Sequence, residues 1–240
     1  MISVSIMPCT AKKFEAARPE MNSSGFRDVD YVLTTRELAH MIRQAGIDFR
    51  SLPEEKYDSI MGESTGAAVI FGTTGGVMEA ALRTAYEIVT GREVPFKNLN
   101  IEPVRGMEGI KSAKIKIENV KDEWKFLEGA ELSVAVAHGL ANADKLMKEI
   151  KSGKANFHFI EIMACPGGCI GGGGQPIPTS PEIRKNRADA IYVADSSLPL
   201  RKSHDNPEIK LIYEEFLHEP LGHHSHELLH THYTPRRSRA

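Results

Sequence analysis

The chain has few cysteines, a single tryptophan and no long apolar run. Its 240 residues include only three cysteines, too few for the disulfide framework of a small secreted domain. No apolar stretch approaches the roughly 20 residues that a membrane-spanning helix needs, and the first residues indicate a strand rather than a signal peptide. The formal net charge of −2 gives no basic footprint for nucleic acid. We therefore expect a cytoplasmic protein with neither a membrane span nor a nucleic-acid partner.

The sequence also lacks the short motifs of several common enzyme classes. It contains neither the nucleophile elbow of serine hydrolases nor a dinucleotide-binding fingerprint. The glycine-rich segment 66–77 is not a phosphate loop, because no Gly-Lys-Ser/Thr follows it. This segment leads into a helix predicted over 77–90. Its glycines are explained equally well by an anion site at the start of that helix and by close packing.

What is present is a glycine-rich segment with two cysteines. Residues 163–176 contain Cys165, Cys169 and six of the 20 glycines. Glycine adopts left-handed backbone angles at little cost and lets the main chain approach a bulky group closely. The apolar run 157–163 before the segment predicts a buried strand. The pattern indicates a loop at a strand end that holds a metal group through two thiolates.

The third cysteine stands in a similar context. Cys9 follows the short β-type run 2–7, so it also lies where a predicted strand ends. Ligands of open α/β sheets bind outside the carboxyl ends of the strands. We therefore predict that all three thiols are delivered to one crevice.

Three kinds of site remain open for these thiols. Structural zinc sites use four ligands, commonly with two residues between paired cysteines, whereas three residues separate Cys165 from Cys169. Three unrelated buried thiols are a second possibility, since single cysteines are often plain core residues. An iron–sulfur cluster takes thiolates and needs space and N–H donors around its sulfurs. We favour the cluster, although three thiolates leave a cubane one ligand short.

The order of the predicted elements indicates an α/β fold. A buried strand over 132–138, a helix over 142–151 and the strand 157–163 form one βαβ unit, for which a parallel, right-handed crossover is expected. Thr34 and Glu37 predict a capping box at the start of another helix, and Gly46 its end. The runs 114–120 and 124–127 suggest a hairpin or an excursion from the main sheet. We predict a twisted parallel sheet flanked by helices.

The end of the chain is predicted to be helical. We place a cluster-binding α/β core at 1–180 and a helical tail of the same domain at 181–240. The tail contains His223, His226 and His230 on one helical face, and we interpret them as solvated surface rather than as a metal site. A β-type run and a ligand-like cysteine at the very start suggest that the chain starts inside a larger domain or completes one with a partner. Apolar faces near residues 1–10 and 157–170 should then be exposed.

Three motifs together carry a resemblance to a known family. They are Met-Pro-Cys-Thr-Ala-Lys-Lys at 7–13, Phe-Gly-Thr-Thr-Gly-Gly-Val-Met-Glu-Ala at 71–80, and Met-Ala-Cys-Pro-Gly-Gly-Cys-Ile-Gly-Gly-Gly-Gly-Gln-Pro at 163–176. The chain closely resembles the C-terminal part of the catalytic domain of iron-only (FeFe) hydrogenases. The resemblance extends over essentially all of its length, including the His-Thr-His-Tyr sequence at 230–233.

The resemblance implies an H-cluster, a 4Fe-4S cubane joined through one cysteine to a two-iron subsite with carbonyl, cyanide and dithiolate ligands. By the motif match, Cys9 and Cys165 would hold the cubane, and Cys169 would hold it and bridge to the two irons. Lys12 would donate to a cyanide, which makes Lys12 and Cys169 the catalytic candidates. The wall of the cofactor pocket would be formed by Met7, Pro8, Phe71, Gly72, Val77 and Met163.

The chain departs from the family in what it does not contain. The family's first cysteine motif, Thr-Ser-Cys-Cys-Pro, supplies the fourth cubane ligand and a proton-transferring cysteine, and it is absent here. The acidic proton path and the ferredoxin-type cysteine runs are absent too. The resemblance thus implies a partner, either the missing N-terminal half of the domain or a separate subunit. Electrons would come from ferredoxin or an NAD(P)H-linked module.

The function expected from the resemblance is the reversible reduction of protons to H2, by a section of a larger or split hydrogenase. A non-catalytic iron–sulfur protein, either a sensor or an assembly factor, is the main alternative. An inactive fragment is the third possibility. Retention of Lys12 favours the hydrogenase, because a protein that holds only a cubane needs no donor to cyanide.

Overall fold

The computed structural model describes residues 1–232, 234 and 235, and it has the predicted α/β architecture. Five strands are present in this part of the chain: β1 (Val4–Met7), β2 (Tyr31–Thr34), β3 (Ile110–Lys116), β4 (Glu131–His138) and β5 (Phe159–Met163). The α-helices there are α1 (Ala11–Ala16), α2 (Thr35–Gln44), α3 (Gly66–Ile70), α4 (Gly76–Thr90), α5 (Leu140–Lys151), α6 (Pro181–Ser197), α7 (Pro207–Ile212) and α8 (His223–Leu229). In the described residues no helix combines the length and the apolar character needed to cross a membrane.

The chain divides into two compact units, each assembled from separate segments. The first consists of Met1–Gly62, Gly173–Ile177 and the residues from Pro207 onward. The second consists of Glu63–Gly172 and Pro178–Asn206. The chain therefore passes from one unit to the other inside the glycine run that follows Cys169. The predicted boundary between a core at 1–180 and a tail at 181–240 stays a prediction.

The first unit is built around a parallel pair of strands. β1 pairs with β2 in a register that places Met7 opposite Thr34, at the carboxyl ends of both strands. The predicted capping box is confirmed: the Thr34 side chain accepts from the Glu37 N–H while the Glu37 carboxylate accepts from the Thr34 N–H. Gly46 has a φ of 69° just past α2, as expected for a residue that ends a helix.

The second unit contains a three-stranded sheet in the order β3-β4-β5. β4 and β5 are parallel and joined by α5, which confirms the predicted βαβ unit. β3 adds an antiparallel edge, with Ile110 opposite Ala137 and Lys116 opposite Glu131. Of the run 114–120, which was predicted to form a hairpin or an excursion from the sheet, residues 114–116 belong to β3. Residues 124–127 lie in a 3₁₀ helix over Asp122–Leu127.

The prediction that β5 is buried is wrong. Phe159 and Ile162 remain 42% and 44% exposed, because β5 lies at the edge of the sheet and pairs only with β4 among the described residues. The central strand β4 is covered instead, and its residues Val134–Ala137 have no exposed surface. Ile2 and the β1 residues Val4, Ile6 and Met7 are also exposed. The expected apolar faces near residues 1–10 and 157–170 are therefore confirmed.

A cluster of buried charges fixes α4 and α6 in the second unit. Arg83 of α4 has no exposed side-chain surface, and its guanidinium donates to Glu79 at 2.6 Å and to Asp195 of α6 at 2.8 and 2.9 Å. Arg105 and Arg201 supply further positive charge to the same two carboxylates. Burial opposes ionisation of Asp195, but hydrogen bonds from Arg83 and Arg201 hold its pKa below the usual range.

Arg83→Met should strongly destabilise the chain. The substitution leaves two buried carboxylates without their central partner, a loss of about 3–5 kcal/mol in the free energy of unfolding. Lys185→Met is the matched control, because the Lys185–Asp189 ion pair of α6 is exposed and should contribute less than about 1 kcal/mol. Urea titrations of both variants provide the measurement. Equal losses in the two variants would show that the buried cluster has no special role.

Candidate metal centre

The loop that carries Cys165 and Cys169 leaves the carboxyl end of β5, as predicted. β4 ends at His138 and β5 ends at Met163, and these two residues are register partners. The Gly139 N–H donates to the Met163 carbonyl at 2.8 Å, which closes the sheet at this edge. Cys165 follows two residues later, so the sheet edge fixes where the cysteine loop begins.

Two left-handed glycines shape the loop between the cysteines. Gly167 and Gly168 have φ values of 80° and 92°, a region that other residues adopt only with strain. The Gly168 N–H donates to the Cys165 carbonyl at 3.0 Å, and Cys169 opens a short 3₁₀ turn. The glycines predicted to give the loop freedom therefore give it one specific turn.

The turn before α4 binds this loop through its backbone. The Thr74 N–H donates to the Gly167 carbonyl at 2.9 Å, and the Ile170 N–H donates to the Gly72 carbonyl at 3.0 Å. A Cβ on Gly168 would lie 2.7 Å from the Thr74 nitrogen and 2.7 Å from the Met163 sulfur. Gly72 and Met163, both predicted wall residues, are thus brought to the cysteine loop.

The other predicted wall residues of this unit frame the same turn. Phe71 follows α3 and is 46% exposed, and Val77 is half-buried at the start of α4. Helix α3 itself was not predicted, because its five residues are too few to show a helical period. Because α3 ends at Ile70, directly before Phe71, it fixes where the turn before α4 begins.

His138 was not identified from the sequence, although it contacts the cysteine loop. The Gly167 N–H donates to its Nδ1 at 3.2 Å, and its Nε2 lies 3.1 Å from the Met107 carbonyl oxygen. Arg187 of α6 also contacts the loop, donating to the Ile170 carbonyl at 2.9 Å. The sequence feature that could have identified His138 as a site residue is its position at the end of a predicted strand.

The anion at the start of α4 is a side chain of the protein itself. The Glu161 carboxylate on β5 accepts from the N–H groups of Gly75 at 2.6 Å and Met78 at 2.7 Å. Burial raises the pKa of Glu161, while these hydrogen bonds oppose the rise. The packing interpretation of this glycine segment also holds, because a Cβ on Gly75 would overlap the Val104 carbonyl oxygen.

Lys111 supports the same turn from β3. Its ammonium donates to the carbonyls of Gly106 at 2.8 Å and Thr74 at 3.2 Å. Burial lowers the pKa of Lys111 to about 8, with Glu161 and Glu108 acting in the opposite direction. One buried carboxylate and one buried ammonium therefore bind the N–H and C=O groups of a single turn.

The Cys9 loop is built in the first unit. Cys9 follows Pro8, whose carbonyl accepts from the Gly174 N–H at 3.1 Å. A Cβ on Gly174 would lie 2.8 Å from the Thr34 Cβ and 2.9 Å from the Pro8 carbonyl carbon. The Arg36 guanidinium donates to the carbonyls of Gly173 at 2.8 Å and Gln175 at 2.9 Å. Gly174 and Gly173 therefore lie against Pro8 and Thr10, the two sequence neighbours of Cys9.

Lys12 lies on α1 three residues after Cys9. Its ammonium is 2.8 Å from the Glu15 carboxylate, and the same small cavity of about 160 Å³ is lined by Lys12, Glu15 and Met7. Two predicted site residues, Lys12 and Met7, are thus neighbours. The adjacent Lys13 donates to the Val32 carbonyl at 2.9 Å and pairs with Glu37, so it stabilises the start of α2.

Each of the three thiols has a defined position within its unit. Cys9 and Cys165 are half-buried, Cys169 is exposed, and none of the three forms a disulfide. Cys165 and Cys169 share one loop, while Cys9 belongs to the other unit. That all three ligate one cluster stays a prediction.

The C-terminal histidines lie on α8 and directly after it, with His230 as the residue that follows the helix. His223, His226 and His230 line a shallow cavity with Glu227, and the rings of His226 and His230 are 4.3 Å apart between centroids. In the part of the chain that the structure describes, no group of three or more His, Cys, Asp or Glu residues is placed to hold a metal ion. Tyr233, which ends the predicted His-Thr-His-Tyr motif, lies outside the described residues.

The sequence of residues 1–173 matches the family described as iron only hydrogenase large subunit, C-terminal domain. The chain belongs to this family. Residues 181–236 match a second family, described as iron hydrogenase small subunit. The large-subunit match contains all three cysteines and every residue predicted for the site.

The chain is similar both to hydrogenases and to Protein NAR1. The NADP-reducing hydrogenase subunit HndD of Solidesulfovibrio fructosivorans is 53% identical over 98% of the chain, which spans 38% of that protein. The structure of a variant of the FeFe-hydrogenase HydA1 from Chlamydomonas reinhardtii is 45% identical with a TM-score of 0.80, and covers 97% of this chain and 63% of its own. Protein NAR1 of Arabidopsis thaliana is 30% identical over 97% of the chain and 50% of its own length.

These coverages show how much of its relatives the chain represents. It spans between about two fifths and two thirds of the hydrogenase proteins that it matches. The similarity confirms the α/β fold and the hydrogenase-family resemblance drawn from the three motifs.

Lys111→Met should change how stability depends on pH. Between pH 8 and 10.5 the unfolded chain keeps the Lys111 proton while the folded chain releases it, so wild-type stability gains with rising pH. The free energy of unfolding of wild type relative to Lys111→Met should therefore increase across this window, by up to about 3 kcal/mol. Denaturant titrations at pH 8 and pH 10 would measure the change.

Lys114→Met is the control for the loss of a positive charge from the same strand. Lys114 is exposed on β3 and pairs with Glu131. If both variants show the same pH-dependent difference from wild type, burial of Lys111 is not the cause.

Proposed function

We propose that this chain is the C-terminal section of an FeFe hydrogenase catalytic domain and takes part in the reversible reduction of protons to H2. The observation that carries the proposal is the cysteine loop of the second unit, bound through its backbone to the Gly72–Thr74 turn. A loop fixed in this way on both sides of Gly167 is suited to hold two thiolates at a set spacing. Membership of the hydrogenase family is the second support.

The available ligands fit an iron–sulfur cluster better than a zinc ion. Cys9, Cys165 and Cys169 would hold a 4Fe-4S cubane through thiolates, and Cys169 would also bridge to the two-iron subsite. Membership of the hydrogenase family, whose large-subunit match contains all three cysteines, supports their assignment to one cluster. The fourth ligand has to come from another segment, such as the N-terminal half of the domain or a separate subunit.

When bound, the complete H-cluster would supply the redox chemistry that joins protons and electrons. The residues of this chain would hold, orient and shield it. Met7, Pro8, Phe71, Gly72, Val77 and Met163 would form a wall that limits access of water. Lys12 would turn its ammonium from Glu15 to a cyanide ligand, exchanging one anionic partner for another.

The electron partner in this proposal is ferredoxin or an NAD(P)H-linked module. The name of the related subunit HndD, an NADP-reducing hydrogenase subunit, supports the second of these. We place the protein in the cytoplasm, where thiols stay reduced.

A second candidate function is that of a non-catalytic iron–sulfur protein. It is favoured by similarity to Protein NAR1 and to proteins named as cytosolic Fe-S cluster assembly factors, which are 27–33% identical. Such a protein would bind a cubane through the same cysteines but would assemble no two-iron subsite. The higher identity to HndD and the retained Lys12 favour the hydrogenase.

Lys12→Asn in the completed enzyme tests the proposal. The chain would be joined to the preceding segment of HndD, matured anaerobically and assayed for H2 evolution and for infrared carbonyl and cyanide bands. The wild-type fusion should show both. Lys12→Asn should keep the cubane but lose most of the two-iron subsite and turnover, because the bonds to cyanide are worth about 1.5–3 kcal/mol.

Lys148→Asn is a better control than a change at Lys13, which holds the start of α2. Lys148 forms an exposed ion pair within one helix turn, like Lys12, but lies on α5. A wild-type fusion that binds iron and sulfide without carbonyl bands would support the assembly-protein alternative. A fusion that binds neither would indicate an inactive fragment.

A further inference from the structure

His138 fixes the peptide group midway between Cys165 and Cys169. Gly167 is two residues from each cysteine, and it is buried. Its carbonyl accepts from the Thr74 N–H, and its own N–H donates to the Nδ1 atom of His138. Because a buried N–H needs a partner, the imidazole is the group that satisfies Gly167 on this side.

The partners of the ring define its tautomer. Gly167 offers an N–H, so Nδ1 must present a lone pair, while the Met107 carbonyl oxygen can only accept, so Nε2 must carry the hydrogen. Both nitrogens are therefore used by the protein. The neutral ring connects the cysteine loop to the segment before β3.

The Met107 side chain and the backbone hydrogen bonds of His138 also restrict the position of the cysteine loop. A Cβ on Gly167 would lie 2.6 Å from the Met107 methyl carbon, so the Met107 side chain lies against the Gly167 backbone. The backbone of His138 is fixed as well, because its N–H donates to Gly109 at 3.0 Å and its carbonyl accepts from Asn142 at 2.8 Å. The backbone of His138 is thus fixed by two hydrogen bonds while its imidazole binds the cysteine loop.

We infer that His138 is a positioning residue for the metal centre: its Nδ1 holds the Gly167 N–H and thereby sets the conformation in which the loop presents Cys165 and Cys169. It is not a ligand in this role. The statement about loop conformation stands on the hydrogen bonds alone, and its consequence for cluster retention rests on the proposed function.

Three variants of His138 distinguish the effects of the two hydrogen bonds that its ring forms. His138→Asn places an amide oxygen where Nδ1 was, so it keeps an acceptor for Gly167. His138→Gln reaches the position of Nε2, so it keeps a donor for Met107 and loses the acceptor. His138→Phe keeps a planar ring and loses both bonds.

The first measurement is amide hydrogen exchange of Gly167 in the full chain, by NMR. Exchange should become about five- to tenfold faster in the Phe and Gln variants, the change expected for loss of one ordinary hydrogen bond. In His138→Asn it should stay within about twofold of wild type. The Gly139 amide, bonded to Met163 at the sheet edge, is the internal control: its protection factor, which corrects for the changed neighbour at position 138, should be the same in all variants.

The second measurement is iron and sulfide retained under chelator challenge after anaerobic reconstitution of the chain. His138→Phe and His138→Gln should lose iron several-fold faster than wild type and His138→Asn. Unchanged Gly167 exchange in both Phe and Gln variants would overturn the inference, as would His138→Asn behaving like His138→Phe. If His138→Phe does not fold, the comparison of Asn with Gln decides.

A wild-type chain that takes up no iron would count against the proposed function and not against this inference. Gly167 exchange would then decide alone, because it needs no cluster. Faster exchange at both Gly167 and Gly139 would indicate general loosening of the sheet edge and would overturn a specific positioning role.

Discussion

The second unit depends on a close approach between two stretches of backbone, the turn before α4 and the loop between the cysteines. Each contributes a donor and an acceptor to the other, through Thr74 with Gly167 and Ile170 with Gly72. The approach requires the absence of side chains, because a Cβ on Gly168 would meet the Thr74 nitrogen. The glycines leave space for these hydrogen bonds, and the loop gains its shape from its own glycine turn together with the turn before α4.

Buried charge is used to hold this turn rather than to face a ligand. Glu161 satisfies N–H groups at the start of α4, and Lys111 satisfies the Thr74 carbonyl of the same turn. Both side chains are buried, with Lys111 8% and Glu161 6% exposed. A buried ionised group that loses its partners is costly, so the two side chains and the turn stabilise one another. His138 performs a similar task with a neutral ring.

Periodicity and motif spacing predicted the features that are local in sequence. The β4-α5-β5 unit, the Thr34–Glu37 capping box and the emergence of Cys165 at a strand end all follow from short patterns. The exposure of β5 could not be predicted, because an apolar run does not show whether a second strand covers it. Glu161 and His138 were missed for a related reason. Their partners are far along the chain, and nothing near Glu161 in sequence shows that its carboxylate reaches α4.

The first unit is assembled from segments far apart in the sequence, and this has a consequence for biosynthesis. The loop that carries Cys9 is completed by Gly174, and Arg36 holds the same glycine run through Gln175, 139 residues further along the chain. Contacts of such long sequence separation form late and slow folding. During translation Cys9 therefore emerges well before the segment that packs against its loop. The Cys9 loop therefore stays incomplete throughout the synthesis of β3, β4 and β5, and it can take its folded form only once Gly174 has emerged from the ribosome.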